Sequence, residues 1–553
     1  MSSHLEHLEE ANTELAVLKR HVTAAYSYIK DQCSSDEGFD EKLLDDWQLP
    51  SYELAFCMAQ LSAAAAFNDY AGKSTTQKFT QQLALSFCAE SLQSVLNRLV
   101  ALATDVGLDR AKLLDIHVGT VYLKLLDTYA STKFLSSLGS EIVENDIQRL
   151  PSLLSEEKEL VRETFYRFAN EEVMPLAEQI HRFDEDIPDS ILQGAAELGC
   201  FGTCIPERFG GLQPDDRPDS LGMIVVTEEL SRGSLGAAGS LITRPEIAAR
   251  ALLSGGSEQQ QQKWLPLLAA GKTLCAISIT EPNTGSDVAA VSLKATPTEN
   301  GWLLNGSKTW CTFAGKSELL VVLARSNKDS SLGYKGLSLF LVEKPSFSGH
   351  NFQHAQSDGG SLTGKAIATI GYRGMHSYDL FFEDFFVPSE NLVGEEAGEG
   401  KGFYFTMAGF AGGRIQTAAR ATGVMQAAFE RALSYAKDRK AFGSAIADYQ
   451  LTQIKLARLL ATLTAARQFS YAVAELMDDG LGQMEASLVK LFSCRAAEML
   501  CREALQIHGG MGYAEESAVS RLFVDARVLS IFEGAEEVLA IKVVARELIE
   551  RSS

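Results

Sequence analysis

The chain has 553 residues, 46% hydrophobic and 22% charged, and a formal net charge of −22. That length exceeds one ordinary domain, and the composition is that of a globular protein with several sizeable cores. The acidic balance argues against a nucleic-acid groove, which needs a basic stripe, and nine cysteines without a CxxC pair or zinc spacing suit reduced thiols.

The opening stretch MSSHLEHLEEANTEL carries acids where a signal peptide would be basic and then apolar, so a cytoplasmic location is expected. Leu8, Ala11, Leu15, Leu18, Val22, Ala25 and Ile29 recur at spacings of three and four, which places them on one helical face. Alanine-rich helices are expected over 52–70 and 76–104. LAFCMAQLSAAAAF is short and interrupted by Gln60 and Ser62, which suits a buried helix rather than a membrane span, so a soluble protein is expected. Residues 1–150 thus form an extra helical block. After Pro151, Ser155-Glu156-Glu157 restarts a helix with a capping residue and with acids against the positive end of its dipole. The helical texture of 151–273 is broken by IPERFGGLQPDDRPDS, a surface loop.

From 274 to 390 the texture changes to strands: LCAISIT, GWLLNG, ELLVVLARS, GLSLFLVEK and YDLFFEDFFV, with Asn300-Gly301 as a hairpin signal. Residues 345–371 read as a long polar, glycine-rich connection, either a functional loop or a local insertion. After GEEAGEGKGF, residues 391–553 are helical again. This segregation predicts an α+β fold, with a helical N-domain, a mostly antiparallel β middle domain and a C-terminal helical bundle, rather than a doubly wound sheet. QQLALSFCAESLQSVLNRL loosely echoes ASLVKLFSCRAAEMLCREAL, and LSAAAAFNDY echoes LTAARQFSYAV in the same order. A degenerate repeat and a coincidence of alanine-rich helices are both compatible with that echo.

Several chemistries lack their residues. No GxGxxG follows a strand, GEGKGF lacks P-loop spacing, and the nine histidines are scattered with no HExxH, so no metal is expected. In ITEPNTGSD, Thr280 ends an apolar strand, and Gly285-Ser286 can present N–H groups and a hydroxyl to a phosphate or ring carbonyl. In SKTWCTFAG, Trp310 and Thr312 alternate onto one strand face, a flat wall beside a hydroxyl, although a core tryptophan is the simpler reading. Near the C-terminus, VLSIFEGAEEVLA sets Glu533 between Phe532 and Gly534, where a carboxylate at a core edge becomes a usable base. Glu536 and Glu537 read as the solvated start of the next helix.

ITEPNTGSD, NGSKTWCTFAG, KDRKAFG, QIHGGMGY and IFEGAEE, in this order and with these gaps, resemble the acyl-CoA dehydrogenase family over about residues 155–553. The resemblance implies FAD between the β domain and the C-terminal helices, partly held by a neighbouring subunit. It implies that Thr280 bonds the flavin, that Trp310 and Thr312 line it, and that Gly285 and Ser286 meet its phosphate, with Ser286 also near CoA. Arg439 would pair with the pyrophosphate, for which a forked cation is suited, Phe442 would pack on the cofactor, and Gln506, Gly509 and Gly510 would accommodate its adenosine end. Glu533 holds the family's usual catalytic-base position. The alternative helix position used by some relatives falls at Gly413.

Departures from the family pattern are Ala535 for a threonine, Val524 for an arginine, and Ala411 for an aspartate often used near CoA, before Arg414, the remaining substrate-side candidate. Arg244, in SLITRPEIAAR, follows the segment lining the acyl end in relatives and is the candidate partner for a substrate carboxylate, unless it is merely a surface arginine. The position the glutaryl-CoA enzyme uses falls near Glu228. The resemblance further implies electron-transferring flavoprotein as acceptor, and the extra front block suggests a homodimer without the tetramer surface of relatives. A flavin-dependent oxidase and a nucleic-acid-associated flavoprotein of the same fold remain alternatives, the second disfavoured by charge.

Overall fold

The computed structural model describes residues 3–35, 38–73, 78–410 and 412–552. The chain opens on α1 (Ser3–Gln32), a two-residue ladder of β1 (Ser34–Ser35) with β2 (Gly38–Phe39), then α2 (Gln48–Lys73), α3 (Lys78–Leu102), α4 (Arg110–His117), α5 (Thr120–Tyr129) and α6 (Thr132–Glu144). All seven apolar positions of the α1 stripe are buried, as their spacing predicts. Next come α7 (Glu156–Phe168), capped by Ser155 Oγ accepting from Lys158 N at 3.3 Å, α8 (Met174–Phe183), α9 (Asp189–Glu197), α10 (Ser220–Gly233), α11 (Thr243–Gly255) and α12 (Glu258–Ala269).

The strands are β3 (Cys275–Ser278), β4 (Lys294–Pro297), β5 (Gly301–Thr312), β6 (Leu319–Arg325), β7 (Leu337–Glu343), β8 (Asn351–Ala355), β9 (Ser361–Ala366) and β10 (Ser377–Pro388). They form one sheet in the order β3-β6-β4-β5-β10-β9-β8, with β7 also on β6. The pairs are antiparallel except β3 with β6 and the single bridge of β4 to β6. β4 and β5 form the hairpin expected here, but the closing bond, Thr298 N to Gly301 O at 2.8 Å, puts Glu299 and Asn300 in the turn and Gly301 at the start of β5. The sheet has two buried faces: along β6, Leu319, Val321 and Leu323 join a core with α11 and α12, while Leu320, Val322 and Ala324 join Phe340, Trp302 and Leu380.

The 345–371 segment is a correction. It holds β8 and β9, which form a hairpin on β10, closed by Gln356 N to Gly360 O at 2.8 Å around Gly359 at φ +97°. Each strand carries a single large inward apolar residue, Phe352 or Leu362, too few for the alternation to register in the sequence.

After α13 (Glu395–Gly398) and α14 (Gly402–Phe410) the chain runs through α15 (Gly413–Asp438), a small hairpin of β11 (Lys440–Ala441) and β12 (Ser444–Ala445), α16 (Gln450–Asp478), α17 (Gln483–His508), α18 (Ala518–Val528), α19 (Glu536–Val538) and α20 (Arg546–Arg551). Contacts divide the chain into two compact units, 160–416 and the combination of 1–159 with 417–553. Within the second, α2 packs on α3, α16 and α17, and α6 runs along α16. Of the segments that echo each other in sequence, those on α2 and α16 pack directly, whereas α3 and α17 lie mainly against the other pair's partner helix, α3 on α16 and α17 on α2. Phe87 and Phe492, at matching places in the echo, meet edge to face at 6.1 Å.

Candidate active site

In the unit 160–416, Thr280 follows β3 and its carbonyl accepts from Thr309 N at 2.9 Å, so the ITEPNTGSD turn is joined to the β5 strand carrying Trp310 and Thr312. Trp310 is 54% exposed at φ +55°, which overturns the core-tryptophan reading. Thr312 is half-buried, with Oγ1 2.9 Å from Ser377 Oγ on β10. A turn of this kind needs an anchor, and the sequence reading missed it. Glu281 is buried and accepts from Ser292 N (2.9 Å), Ser292 Oγ (2.7 Å), Leu293 N (2.7 Å) and Lys308 Nζ (2.9 Å). Burial pushes Lys308 down to about 8 while Glu281 pulls the other way; burial would raise Glu281, but Lys308 and the donors hold it below the usual carboxylate range. Both residues sat inside the quoted motifs. Gly285 and Ser286 are exposed past the Glu281–Thr284 turn, and a Cβ at Gly285 would meet nothing within 4 Å, so the backbone there is open to a ligand.

In the helical unit, Arg439 is exposed just after α15 and takes no ion pair among the described residues. The following hairpin holds Phe442 100% exposed at φ +52°. His508 at the end of α17 stacks on Tyr435 at 4.2 Å, and Tyr435 O accepts from Arg439 N at 2.9 Å. The exposed Gln506, Gly509 and Gly510 are thereby brought beside Arg439, and neither glycine's added Cβ would meet anything within 4 Å.

Glu533 is half-buried at φ +54° on the bend between α18 and α19, and Gly534 follows at φ +99°. The bend is pinned from beneath: Lys490 Nζ on α17 donates to Gly534 O at 2.7 Å, and the buried Arg420 guanidinium lies 4.5 Å from the Phe532 ring centre. Glu536 corrects the solvated-helix expectation. It accepts from Tyr52 Oη of α2 at 2.5 Å and from Arg495 of α17 at 2.7 Å, so the front block reaches the segment carrying Glu533. Gly413 is buried as the first residue of α15, Arg414 beside it is half-buried, Val524 is half-buried on α18 and Ala535 precedes α19. Ala411 lies outside the described residues.

Arg244 is only 7% exposed, which rules out the surface-arginine reading. On the first turn of α11 it donates to Ser240 O at 2.5 Å and Tyr372 Oη at 2.8 Å, and touches Met375 Sδ at 3.1 Å. No carboxylate is ion-paired with it among the described residues, and the adjacent Thr243 Oγ1 is buried without a hydrogen-bond partner. A buried guanidinium without a counter-charge is costly, and an anionic ligand group offsets that cost. Glu228 is buried on α10.

Family models match residues 155–272 (acyl-CoA dehydrogenase, N-terminal domain), 276–385 (middle domain) and 400–549 (C-terminal domain). The chain is 44% identical over 398 residues to (2S)-methylsuccinyl-CoA dehydrogenase of Cereibacter sphaeroides, covering 72% of this chain and 70% of that one. It is 34% identical over 387 residues to the caffeyl-CoA reductase-Etf complex subunit CarC of Acetobacterium woodii, covering 69% and 96%. The structure of butyryl-CoA dehydrogenase from Megasphaera elsdenii superposes with a TM-score of 0.65 at 30% identity, covering 72% and 100%. The chain belongs to the acyl-CoA dehydrogenase family, oxidoreductases that act on the CH–CH group of their donors and are in general FAD-dependent.

Proposed function

We propose that this protein carries out the FAD-dependent α,β-dehydrogenation of a short branched dicarboxylic acyl-CoA, with (2S)-methylsuccinyl-CoA oxidised to mesaconyl-CoA, a step of the ethylmalonyl-CoA pathway. The observation that carries the substrate class is the buried Arg244, without an acid partner among the described residues, beside a buried Thr243 hydroxyl with no hydrogen-bond partner. A free carboxylate at the acyl end supplies both with what they lack. The 44% identity to a methylsuccinyl-CoA enzyme supports the same reading.

Glu533 is the base. The α-proton of a thioester is weakly acidic, so its carboxylate receives that proton while the Glu533 backbone N–H stabilises the thioester oxygen. Bound FAD would supply the hydride acceptor for the β-hydrogen. The residues present suit it: Trp310 and Thr312 offer an exposed ring and a hydroxyl, Thr280 and Ser286 further hydroxyls, and Gly285, Gly509 and Gly510 open backbone. Arg439 supplies a free forked cation for a pyrophosphate, Phe442 an uncovered aromatic face, Gln506 an exposed amide, and Arg414 a cation on the CoA side.

Electron-transferring flavoprotein is the proposed acceptor, consistent with the Etf complex named for the Acetobacterium relative. A homodimer is proposed because α2 and α6 cover α16 and α17, and light scattering that shows a tetramer rejects it. The proposed domains are 1–150, 151–273, 274–390 and 391–553. The cytoplasmic assignment is consistent with the absence, among the described residues, of a helix long and apolar enough to cross a membrane.

The deciding experiment is a panel of methylsuccinyl-, butyryl-, isobutyryl- and glutaryl-CoA read by flavin bleaching. Methylsuccinyl-CoA is expected to bleach fastest, and Arg244→Met to lose that preference. An unchanged KM and kcat in Arg244→Met removes it from the site, and rapid peroxide formation without an acceptor identifies an oxidase.

A further inference from the structure

The histidines that look scattered in sequence are not all scattered in space. Asp184, the left-handed residue that ends α8 at φ +53°, points Oδ2 at His350 Nε2 (3.1 Å) and Oδ1 at His376 Nε2 (3.2 Å). One ligand atom from each of the three residues lies within 4.8 Å of the others. Atoms ligating a tetrahedral zinc ion at about 2.0–2.2 Å stand roughly 3.3–3.6 Å apart, so little movement separates this arrangement from a coordination shell. His376 faces a carboxylate at its other nitrogen too, with Nδ1 3.0 Å from Asp186 Oδ1, and Asp186 is itself held by Gly349 N at 2.6 Å. An acid behind a ligating imidazole fixes its tautomer and orientation, the usual companion of a histidine–metal bond.

We propose that Asp184, His350 and His376 form a structural site for a zinc-class divalent transition-metal ion, with Asp186 orienting His376. Two imidazoles and one carboxylate suit zinc and its neighbours rather than calcium or magnesium, which take oxygen ligands. The Asp184 carbonyl, 3.1 Å from His376 Nε2, or a water supplies the fourth ligand. Arg373, 3.7 Å from Asp184, is the competing cation, but its Nε and Nη1 are already spent on the carbonyls of Thr369 and His181 at 3.0 and 2.9 Å. The ion would tie the end of α8 to the β8–β9 hairpin that follows His350 and to the entry of β10. There Ser377, next to His376, bonds Thr312.

The test uses the full-length flavoprotein, stripped with a chelator, equilibrated with zinc, passed into metal-free buffer and analysed for metal, with magnesium as control. Stoichiometric zinc per chain and a higher thermal midpoint are expected, with no magnesium retained. Asp184→Asn keeps a residue that tolerates the left-handed cap, and His350→Ala removes a half-exposed ring, so both should fold and lose the zinc. Asp186→Asn should weaken affinity about 10- to 100-fold. Substoichiometric zinc in the parent protein, or equal retention in His350→Ala, overturns the site and leaves a hydrogen-bonded knot. Neither outcome bears on the dehydrogenase reading, because the readout is metal content and not turnover.

Discussion

The helix pairs α2–α3 and α16–α17 echo each other in sequence and pack on each other, yet they do different work. The rear pair carries the contacts around the proposed site: Lys490 on Gly534, Arg495 on Glu536, and the Gln506–Gly510 turn held by His508 on Tyr435. Among its described residues the front pair carries no comparable turn. Tyr52 reaches from it to Glu536, and its helices pack on α16 and α17. The pairing of Phe87 with Phe492 is what an approximate two-fold relation between the pairs produces, since such an axis sets equivalent residues against one another. The front block thus covers, within one chain, faces of α16 and α17.

The comparison can be broken most severely from the rear side. Glu533→Gln should lower the rate of flavin reduction by about 10²- to 10⁴-fold in stopped-flow measurements while FAD and substrate still bind; near-normal bleaching would move the base elsewhere. Next in size is the contact between the pairs. Phe87→Ala should cost about 3–5 kcal/mol in denaturant unfolding, and the cycle with Phe492→Ala should show a coupling of about 0.5–1.5 kcal/mol. Simple additivity would mean the rings do not recognise each other.

Tyr52→Phe is a smaller and sharper probe. It leaves the Arg495–Glu536 pair, so a loss of about 1–2 kcal/mol is expected, with kcat altered only severalfold. A kcat indistinguishable from the parent protein would confine the front block to covering. The mildest test compares thiols. Burial pushes Cys494 on α17 up to about 11 and lifts Cys88 on α3 further, so neither should label at neutral pH before unfolding. Both folded values lie above the unfolded one, so the stability from keeping the thiols neutral is complete below the ordinary thiol value. It is lost as pH rises from there through about 11 for Cys494. Labelling of Cys88 in the folded protein at pH 7 would show that the front pair opens alone.

Much of this was legible in the chain because it is local. The α1 stripe, the Ser155 cap and the β4–β5 hairpin depend on neighbours within a few residues, and the structure has each of them, the hairpin turning one residue earlier than Asn300-Gly301 signals. Features that depend on distant partners were not. Glu536 looked solvated because Tyr52 stands 484 positions away, and the Asp184 cluster draws histidines from 166 and 192 positions further on. The β8–β9 hairpin was hidden because its strands are held mainly by backbone pairing, β8 to β9 and β9 to β10. At Arg244 the sequence left a carboxylate partner and a surface arginine both open, because burial depends on the packing around α11 and not on its neighbours in the chain.

Phe442 has a consequence in the life of the newly made chain. A fully exposed aromatic at a strained hairpin tip is a ready substrate for a protease that cuts after large rings, and it stays so for as long as nothing covers it. Nicking between Phe442 and Gly443 would therefore serve as a clock, fast in chains that have not yet acquired their cover and slow in those that have. A brief chymotrypsin digest reads that clock directly.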